Sequence, residues 1–472
     1  MKRFLTILLL LAICFSTVLL FSSCGKKKGS GKEYNLFSEE GLLLVERNDK
    51  YGFIDKTGKE VIPCKYYNAS SFSNGYATVQ EKKDDSYYYI KPDGTRLLET
   101  PFYRASSFDS VGRALVLKSE NGKCQLIDKD GNTIFTAKSI YSGDNGQYLF
   151  KDDSDLWGIV DKNGKILLSA RYDDLDFIAS VNNEKEYNAG GRALTDRFVA
   201  LRTGSKGSTY YLIDLDGNEL YTAEKEYRIW RVELFETLLA EGENGGIQLF
   251  DRSGKTIWKN EGACEVEAAF AGGVLLWFDD DTNGDDYCQV VDFNGDVIFD
   301  SRNSGYLTDD DYFGWNGEIM VYTDDEDEKI GIMNVKTGEI IIPAEYYWLS
   351  YYGFDANGLC IGQKEKDGDF VALNRKGEKV FTKSCDDLDA FENTNAPYYI
   401  ASYKQGTNTS YELVDAKGNL VHTFGTRFRP YDYYDDGFIV CREYEDGSFV
   451  GYTIFDSNFK QICSTNYDSI GY

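Results

Sequence analysis

The sequence predicts an all-β repeat protein of about eleven β-hairpin units, closed into a β-propeller-like ring or rings, with an open β superhelix as the alternative. Three observations carry this. A turn of the form Asp/Asn–x–x–Gly, with small variations, recurs along nearly the whole chain. Tyr (36), Phe (29) and Gly (46) are abundant and Pro (6) is scarce, which favours strands punctuated by glycine turns. Outside the N-terminus, no long window carries the i, i+3, i+4, i+7 apolar spacing of an amphipathic helix.

The unit is clearest at Leu156–Asp174, L-W-G-I-V-D-K-N-G-K-I-L-L-S-A-R-Y-D-D. It reads as a hairpin with strand Trp157–Asp161, turn Lys162–Lys165 and strand Ile166–Ser169, leaving through Tyr172-Asp173-Asp174. Asp161 suits the first position of a type I turn, because its carboxylate can accept a backbone N–H. Gly164 suits the left-handed residue that follows in a three-residue loop, because it has no Cβ to clash.

Along the chain the turn is found at Asp55/Gly58, Gly94, Asp128/Gly131, Asp161/Gly164, Asp214/Gly217 and Asp251/Gly254. It continues at Asp292/Gly295, Asn334/Gly338, Asn374/Gly377 and Asp415/Gly418, and ends at Asp456, where Phe459 stands in place of glycine. Successive copies are 33 to 42 residues apart, except for one step of 53 that takes an insertion around Ser180–Gly191, read as a loop. Between hairpins comes a second element: an aromatic, a few small residues, a glycine and a strand, as in Phe72–Val79 and Phe108–Val116. Each unit thus offers three strands, with room for a short fourth at the Tyr-x-x-Ala exit, as in Tyr67–Ser70. Leu42–Val45, Ile166–Leu168 and Ile340–Ile342 are apolar without alternation. Both faces of such strands should be covered, as in small sheets stacked face to face. A period near 40 with three to four strands is what a propeller blade needs. Asn466–Ile470, the exit of a hairpin, and Leu36–Leu42, the element that should follow it, can complete one split unit from both ends. Eleven blades exceed the usual range of about four to eight, which keeps two fused rings and an open superhelix as alternatives.

These units resemble the WG (or KWG) repeats of bacterial exported proteins, K-W-G-F-I-D-K-x-G-K-x-V-I-P-x-x-Y-D. Trp157-Gly158 matches outright, and Lys50–Asp55 with Val61-Ile62-Pro63 and Tyr66 matches almost throughout. Lys329-Ile330-Gly331 with Ile341-Ile342-Pro343 and Tyr346 is a third good copy. The other copies keep the turn and have lost the Trp-Gly pair. The resemblance covers roughly Leu36 to Tyr472; it implies all-β repeat structure and protein contacts, and carries over no catalytic residue.

The N-terminus reads as an address. Lys2 and Arg3 precede the almost wholly apolar Phe4–Leu20, and Phe21-Ser22-Ser23-Cys24-Gly25 brings small residues to a cysteine. This resembles a bacterial lipoprotein signal peptide. It implies a signal at 1–23, a lipidated Cys24 opening a flexible tether at 24–34, and a repeat domain at 35–472. A plain signal peptide or an uncleaved signal anchor is the alternative. The implied location is the bacterial cell envelope, lipid-anchored at the outer membrane on its periplasmic or surface face, since Gly25 replaces the Asp that often retains lipoproteins at an inner membrane. Acyl chains contributing about 0.8 kcal/mol per buried CH₂ would hold the chain there. The formal charge of −27 becomes −27 − 2 = −29 when Lys2 and Arg3 leave with the signal. It argues against nucleic acid, and against anionic lipid headgroups on the repeat surface. Of ten cysteines, Cys14 leaves with the signal and Cys24 takes the lipid; the other eight show no C-x-x-C pair and read as isolated buried thiols.

Candidate sites are few. Asp279, Asp281, Asn283 and Asp285 alternate around Gly284 like the first half of an EF-hand loop, which makes calcium the one candidate cofactor. Val290 stands where the distal Glu would be, and a solvated hairpin tip is the simpler reading. His422 is the sole histidine and has no nucleophile motif beside it. Most aromatics should fill the space between sheets. Tyr87–Tyr89, Tyr346–Trp348 and Tyr431–Tyr434 are the clusters that can act as sugar platforms or protein anchors. The leading functional expectation is a membrane-anchored, non-enzymatic repeat scaffold binding a protein or another envelope component. A glycan-binding surface lipoprotein comes second and a carboxylate-dependent glycoside hydrolase third.

Overall fold

The computed structural model describes residues 35–471 with short breaks, the longer of them at 182–191, 279–286, 304–316, 324–328 and 392–395. The signal, Cys24 and the tether lie outside the described residues, as do Asp279, Asp281, Asn283 and Asp285. A complete unit is a four-stranded antiparallel meander. The fourth runs Ser139–Ser142, Gln147–Lys151, Trp157–Asp161 and Ile166–Tyr172, neighbours in that order. The last strand is longer than the sequence suggests because a bulge carries it past Ser169 to Tyr172. The expected short strand at the Tyr-x-x-Ala exit is present as Asn68–Ala69, which opens the second unit.

Among the described residues these strands form ten sheets, nine of three or four strands and one of eight. The eight-stranded sheet is two units fused at their first strands. Asp174–Val181 and Tyr227–Leu234 pair in parallel through Ala179↔Val232, Ser180↔Glu233 and Val181↔Leu234. The fusion falls beside the insertion read as a loop; Ser180 and Val181 belong to a strand, and 182–191 lie outside the described residues.

Stacking follows from alternation along each strand. Leu42 and Leu44 pack with Phe53, Ile62, Phe72 and Val79 between the first and second units. Leu43 and Val45 point the other way, into a cluster with Tyr434, Val440, Ile454, Tyr467 and Ile470 of the last unit. Among the described residues eleven such clusters alternate with the eleven units. An open array of eleven would have ten; the eleventh, between last and first, closes a ring.

Backbone pairing completes the closure. Ser469–Ile470 adds to the edge of Leu42–Glu46 through Val45↔Ile470 and Glu46↔Ser469. The Asp436 carboxylate accepts the Leu36 N–H at 3.1 Å and the Phe37 N–H at 3.4 Å. Phe37 also meets the ring of Phe438 at 4.8 Å. The two termini therefore complete one split unit, as their sequences suggest.

Candidate functional site

The repeated turns come first, since they hold most of the singled-out residues. Asp161 Oδ1 accepts the Asn163 and Lys165 N–H groups at 2.8 and 2.9 Å, and Gly164 has φ +83°. Asp55 does the same for Thr57 and Lys59 at 2.8 and 3.1 Å, and Asp128 for Asp130 and Asn132 at 3.0 and 2.8 Å. Asp214 accepts Asn218 N–H at 2.8 Å. Gly58, Gly131 and Gly217 have φ of +81°, +82° and +76°. The Thr57 hydroxyl, aided by these N–H groups, holds the Asp55 carboxyl below its ordinary value. At Asp128 and Asp214 burial pulls upward, but hydrogen bonds from Asn132 and Asn218 leave both carboxyls lowered. These carboxylates are occupied by their own loops.

A second set of Asp–x–x–Gly turns ties neighbouring units together. Asp109 and Asp355 bind their own loops in the same way, and each also accepts the hydroxyl of an inner tyrosine of the next unit, Tyr148 and Tyr399. The sequence holds the signal, D-S-V-G and D-A-N-G, but not the tyrosines they meet. Burial raises the Asp355 pKa, and the Tyr399 hydroxyl opposes that rise. A carboxyl raised on folding contributes stability that is present below its unfolded pKa and lost as pH climbs through its folded one. Tyr399→Phe raises the folded pKa further, so it should cost about 1–3 kcal/mol at pH 7 and less at pH 4. Urea unfolding at the two pH values reads this; an equal loss at both would show that the hydroxyl does not serve the carboxylate.

The aromatic clusters separate sharply. Tyr89 is buried with its hydroxyl on the Ser106 carbonyl at 2.7 Å, and Tyr88 lies under the Arg96 guanidinium at 3.6 Å. Trp348 stands edge-on to Phe370 at 6.0 Å and packs against the core, leaving Tyr347 exposed. Tyr431–Tyr434 belongs to something larger. Strands Phe428–Tyr433, Ile439–Glu445 and Ser448–Phe455 form the last unit. Val440 and Ile454 are buried in the seam, and further along the same hairpin Arg442 pairs with Tyr452, and Tyr444 with Phe449. Ring centroids link Tyr431 to Tyr452 at 5.9 Å, Tyr452 to Phe449 at 5.4 Å and Phe449 to Tyr444 at 5.9 Å, at interplanar angles of 59–75°. Arg442 covers the Tyr431 ring at 4.2 Å, while Phe449 is 49 % exposed. Beside this strip is a shallow depression lined by Tyr431, Asp432, Tyr434, Val440, Tyr452 and Ile470. Asp432 is only 3 % exposed and accepts the Tyr434 hydroxyl at 3.3 Å. This strip, astride the ring closure, is the candidate site.

The Trp-Gly glycine has its own geometry. Trp157 pairs with Tyr172 and Ile159 with Leu168, so the outer strand bulges over Gly158. A Cβ on Gly158 would stand 2.6 Å from the Leu168 carbonyl oxygen and 2.8 Å from Ala170 N. Gly52 lies likewise under Ile62–Cys64 and Gly331 under Ile342–Ala344, with contacts of 2.5–2.6 Å. The bulge is what requires glycine after the aromatic, and what admits proline at 63 and 343 without a lost ladder bond. The family model "WG containing repeat" matches residues 51–83 and 157–180, on two of these bulged hairpins. Both stretches are WG repeats.

Solved structures similar to the WG-repeat chain include BamB from Moraxella catarrhalis, at 13% identity over 65% of this chain and 93% of that one, TM-score 0.27. Sqt1 from Saccharomyces cerevisiae aligns at 11% identity over 64% and 86%, TM-score 0.28. Dipeptidyl peptidase 4 from Porphyromonas gingivalis aligns at 13% identity over 79% and 64%, TM-score 0.31. No curated protein matches the sequence. The remaining candidates are placed by packing. His422 stacks on Phe459 at 4.8 Å and 12°, and burial lowers its pKa. Among the described residues Cys64, Cys124, Cys264, Cys288, Cys360, Cys385, Cys441 and Cys463 form no disulfide; Cys64 and Cys385 are half-buried and the others buried. Burial pushes the thiols of Cys360 and Cys385 up to about 12. Among the described residues no group of three or more His, Cys, Asp or Glu side chains is placed to hold a metal ion. Asp389 is pushed up to about 6, by desolvation of its carboxyl and then by Asp387, although both residues lie on an exposed strand face.

Proposed function

We propose that this WG-repeat protein is a membrane-anchored, non-enzymatic scaffold that binds a protein partner or another component of the cell envelope. The observation that carries the reading is the strip of Tyr431, Arg442, Tyr444, Phe449 and Tyr452 on the last hairpin. Tyrosine and arginine gathered beside a recess match the composition of protein-binding hot spots. The carboxylates singled out in the turns, by contrast, are taken up by backbone N–H groups. The edge-to-face arrangement of the rings, and the guanidinium over Tyr431, favour a protein over a glycan, because sugars stack on open ring faces.

The anchor and the scaffold are tested together. Full-length protein cross-linked in envelopes and recovered under denaturing conditions should bring down one partner in fixed ratio to itself, and saturating recovery of the bait alone would count against the scaffold. Cys24→Ser should abolish lipidation and move the protein from the detergent-rich to the soluble or unprocessed fraction. Normal cleavage with retained membrane binding in that variant would overturn the anchor.

A further inference from the structure

From the place where the chain enters the ring we infer how the ring is presented: the end bearing the Asp–x–x–Gly turns lies toward the membrane, and the opposite end, with Tyr444 and Phe449, faces the protein partner. The inference rests on the anchor and scaffold readings and adds the orientation. In an antiparallel meander successive connections alternate between the two ends of the sheet. The loops before the second strands and the turns after the third strands therefore share one end, where they bond to one another. The Arg113 side chain donates to the Lys162 carbonyl at 2.7 Å, and the Lys129 ammonium to the Asn74 carbonyl at 3.0 Å. Leu36 and Phe37 belong to this end. Their N–H groups meet Asp436, and Lys56, from the Asp55 turn, stands 5.8 Å from the centre of the Phe37 ring.

Ten residues separate Cys24 from Asn35. A random coil of that length spans about 16–19 Å. Strands of five to seven residues, as in the fourth unit, are themselves about 17–23 Å long. From the near end the bilayer is within that span; from the far end the whole of it would go into passing one unit. Charge does not select the end, since Asp435 and Asp436 stand at the near one and Asp152 and Asp153 at the far one. The far end is the one with relief. In the fourth unit the ladder between second and third strands ends at Lys151↔Trp157, four residues before the turn aspartate. The equivalent pair in the last unit is Arg442↔Tyr452, and Glu443↔Gly451, Tyr444↔Phe449 and Glu445↔Ser448 continue past it. The neighbouring unit adds Tyr403↔Ser410, Lys404↔Thr409 and Gln405↔Asn408 in the same way. Three further pairs raise each hairpin by about 10 Å. Phe449 is thus exposed on a ridge that points away from the lipid, where a partner's apolar residues can cover it.

The probe is a phosphatidylcholine vesicle containing a phospholipid with a photoreactive headgroup, into which the full-length, lipidated protein is reconstituted. After irradiation, labelled peptides are mapped by mass spectrometry. Label should fall on residues 35–41, 55–59 and 434–438 and be about tenfold weaker on 152–156, 403–409 and 443–449. Equal or stronger label on those hairpins would overturn the orientation. Twenty Gly and Ser residues inserted after Gly31 should lower the preference several-fold, because the span then exceeds the length of a unit. A preference unchanged by the insertion would show that the tether does not orient the ring. Failure of the wild type to stay on the vesicles, or the same label pattern in Cys24→Ser, would instead sink the anchor on which the orientation depends. The partner's side is read separately, by cross-linking in envelopes. Phe449→Ala should lose the partner several-fold while keeping the lipid label pattern and the melting temperature. Capture by wild type and Phe449→Ala alike would take the partner off the ridge and leave the scaffold standing, whereas capture by neither would sink the scaffold.

Discussion

Gly58→Val should open the ring at its closure and cost about 2–5 kcal/mol, the sum of a left-handed residue with a branched Cβ and an overpacked contact. Gly58 has φ +81°, and a Cβ there would stand 2.0 Å from the carbonyl oxygen of Ile462 in the last unit. The hairpin tip of the first unit is thus pressed against the backbone of the last. Gly338, with φ +69° and nothing within 4 Å of a built Cβ, is the matched comparison. Gly338→Val should lose only the backbone term of about 1–2 kcal/mol. Chemical unfolding of the two variants separates turn strain from contact between units, and equal losses would show that the closure does not bear on Gly58. The same geometry changes the expectation at Gly164. Asparagine tolerates a left-handed backbone, but a Cβ at 164 meets the Ile134 carbonyl oxygen at 2.7 Å, so Gly164→Asn should be destabilising as well as Gly164→Val.

Deleting Asp468–Tyr472 should convert one cooperative unfolding transition into at least two. The deletion removes the strand that pairs with Leu42–Glu46 and takes the buried Ile470 from the closing cluster. Losing one such aliphatic side chain costs about 2–5 kcal/mol. The freed edge also offers unpaired N–H and C=O groups to another copy. Hydrogen exchange should quicken first in residues 36–66 and 428–463, while the units around 200 and 370 keep their protection, because each unit touches mainly its neighbours. A single transition, with exchange unchanged at both ends, would mean that the closure contributes nothing to the ring.

Much of the fold was legible because the turn that repeats is local. Asp55 and Asp161 satisfy N–H groups only two and four residues away, so the motif announces itself without knowledge of anything distant. Phe459 shows the limit of that logic. It stands where ten other copies have glycine, and it keeps the turn's left-handed backbone at φ +59°. Its ring stacks on His422 and meets Tyr398 at 5.9 Å, contacts that offset the strain and that no turn rule contains. The aromatic clusters were harder for the same reason. Tyr89, Tyr347 and Tyr431 look alike as letters, and only their neighbours make the first buried, the second exposed and the third part of a continuous strip.

The sequence by itself determined the strand period, the position of each turn, the covered faces and the Trp-Gly signature, since all of these are set by interactions within a hairpin. The tertiary structure alone decided that eleven units close into one ring, that the outer strand bulges over Gly52, Gly158 and Gly331, and that the insertion fuses two sheets in parallel. It also decided which aromatics gather beside the closure. The physical reason is distance along the chain. The contact between Leu36 and Asp436 joins residues 400 apart, and its free energy depends on the accumulated twist of every sheet between them, which no local pattern records.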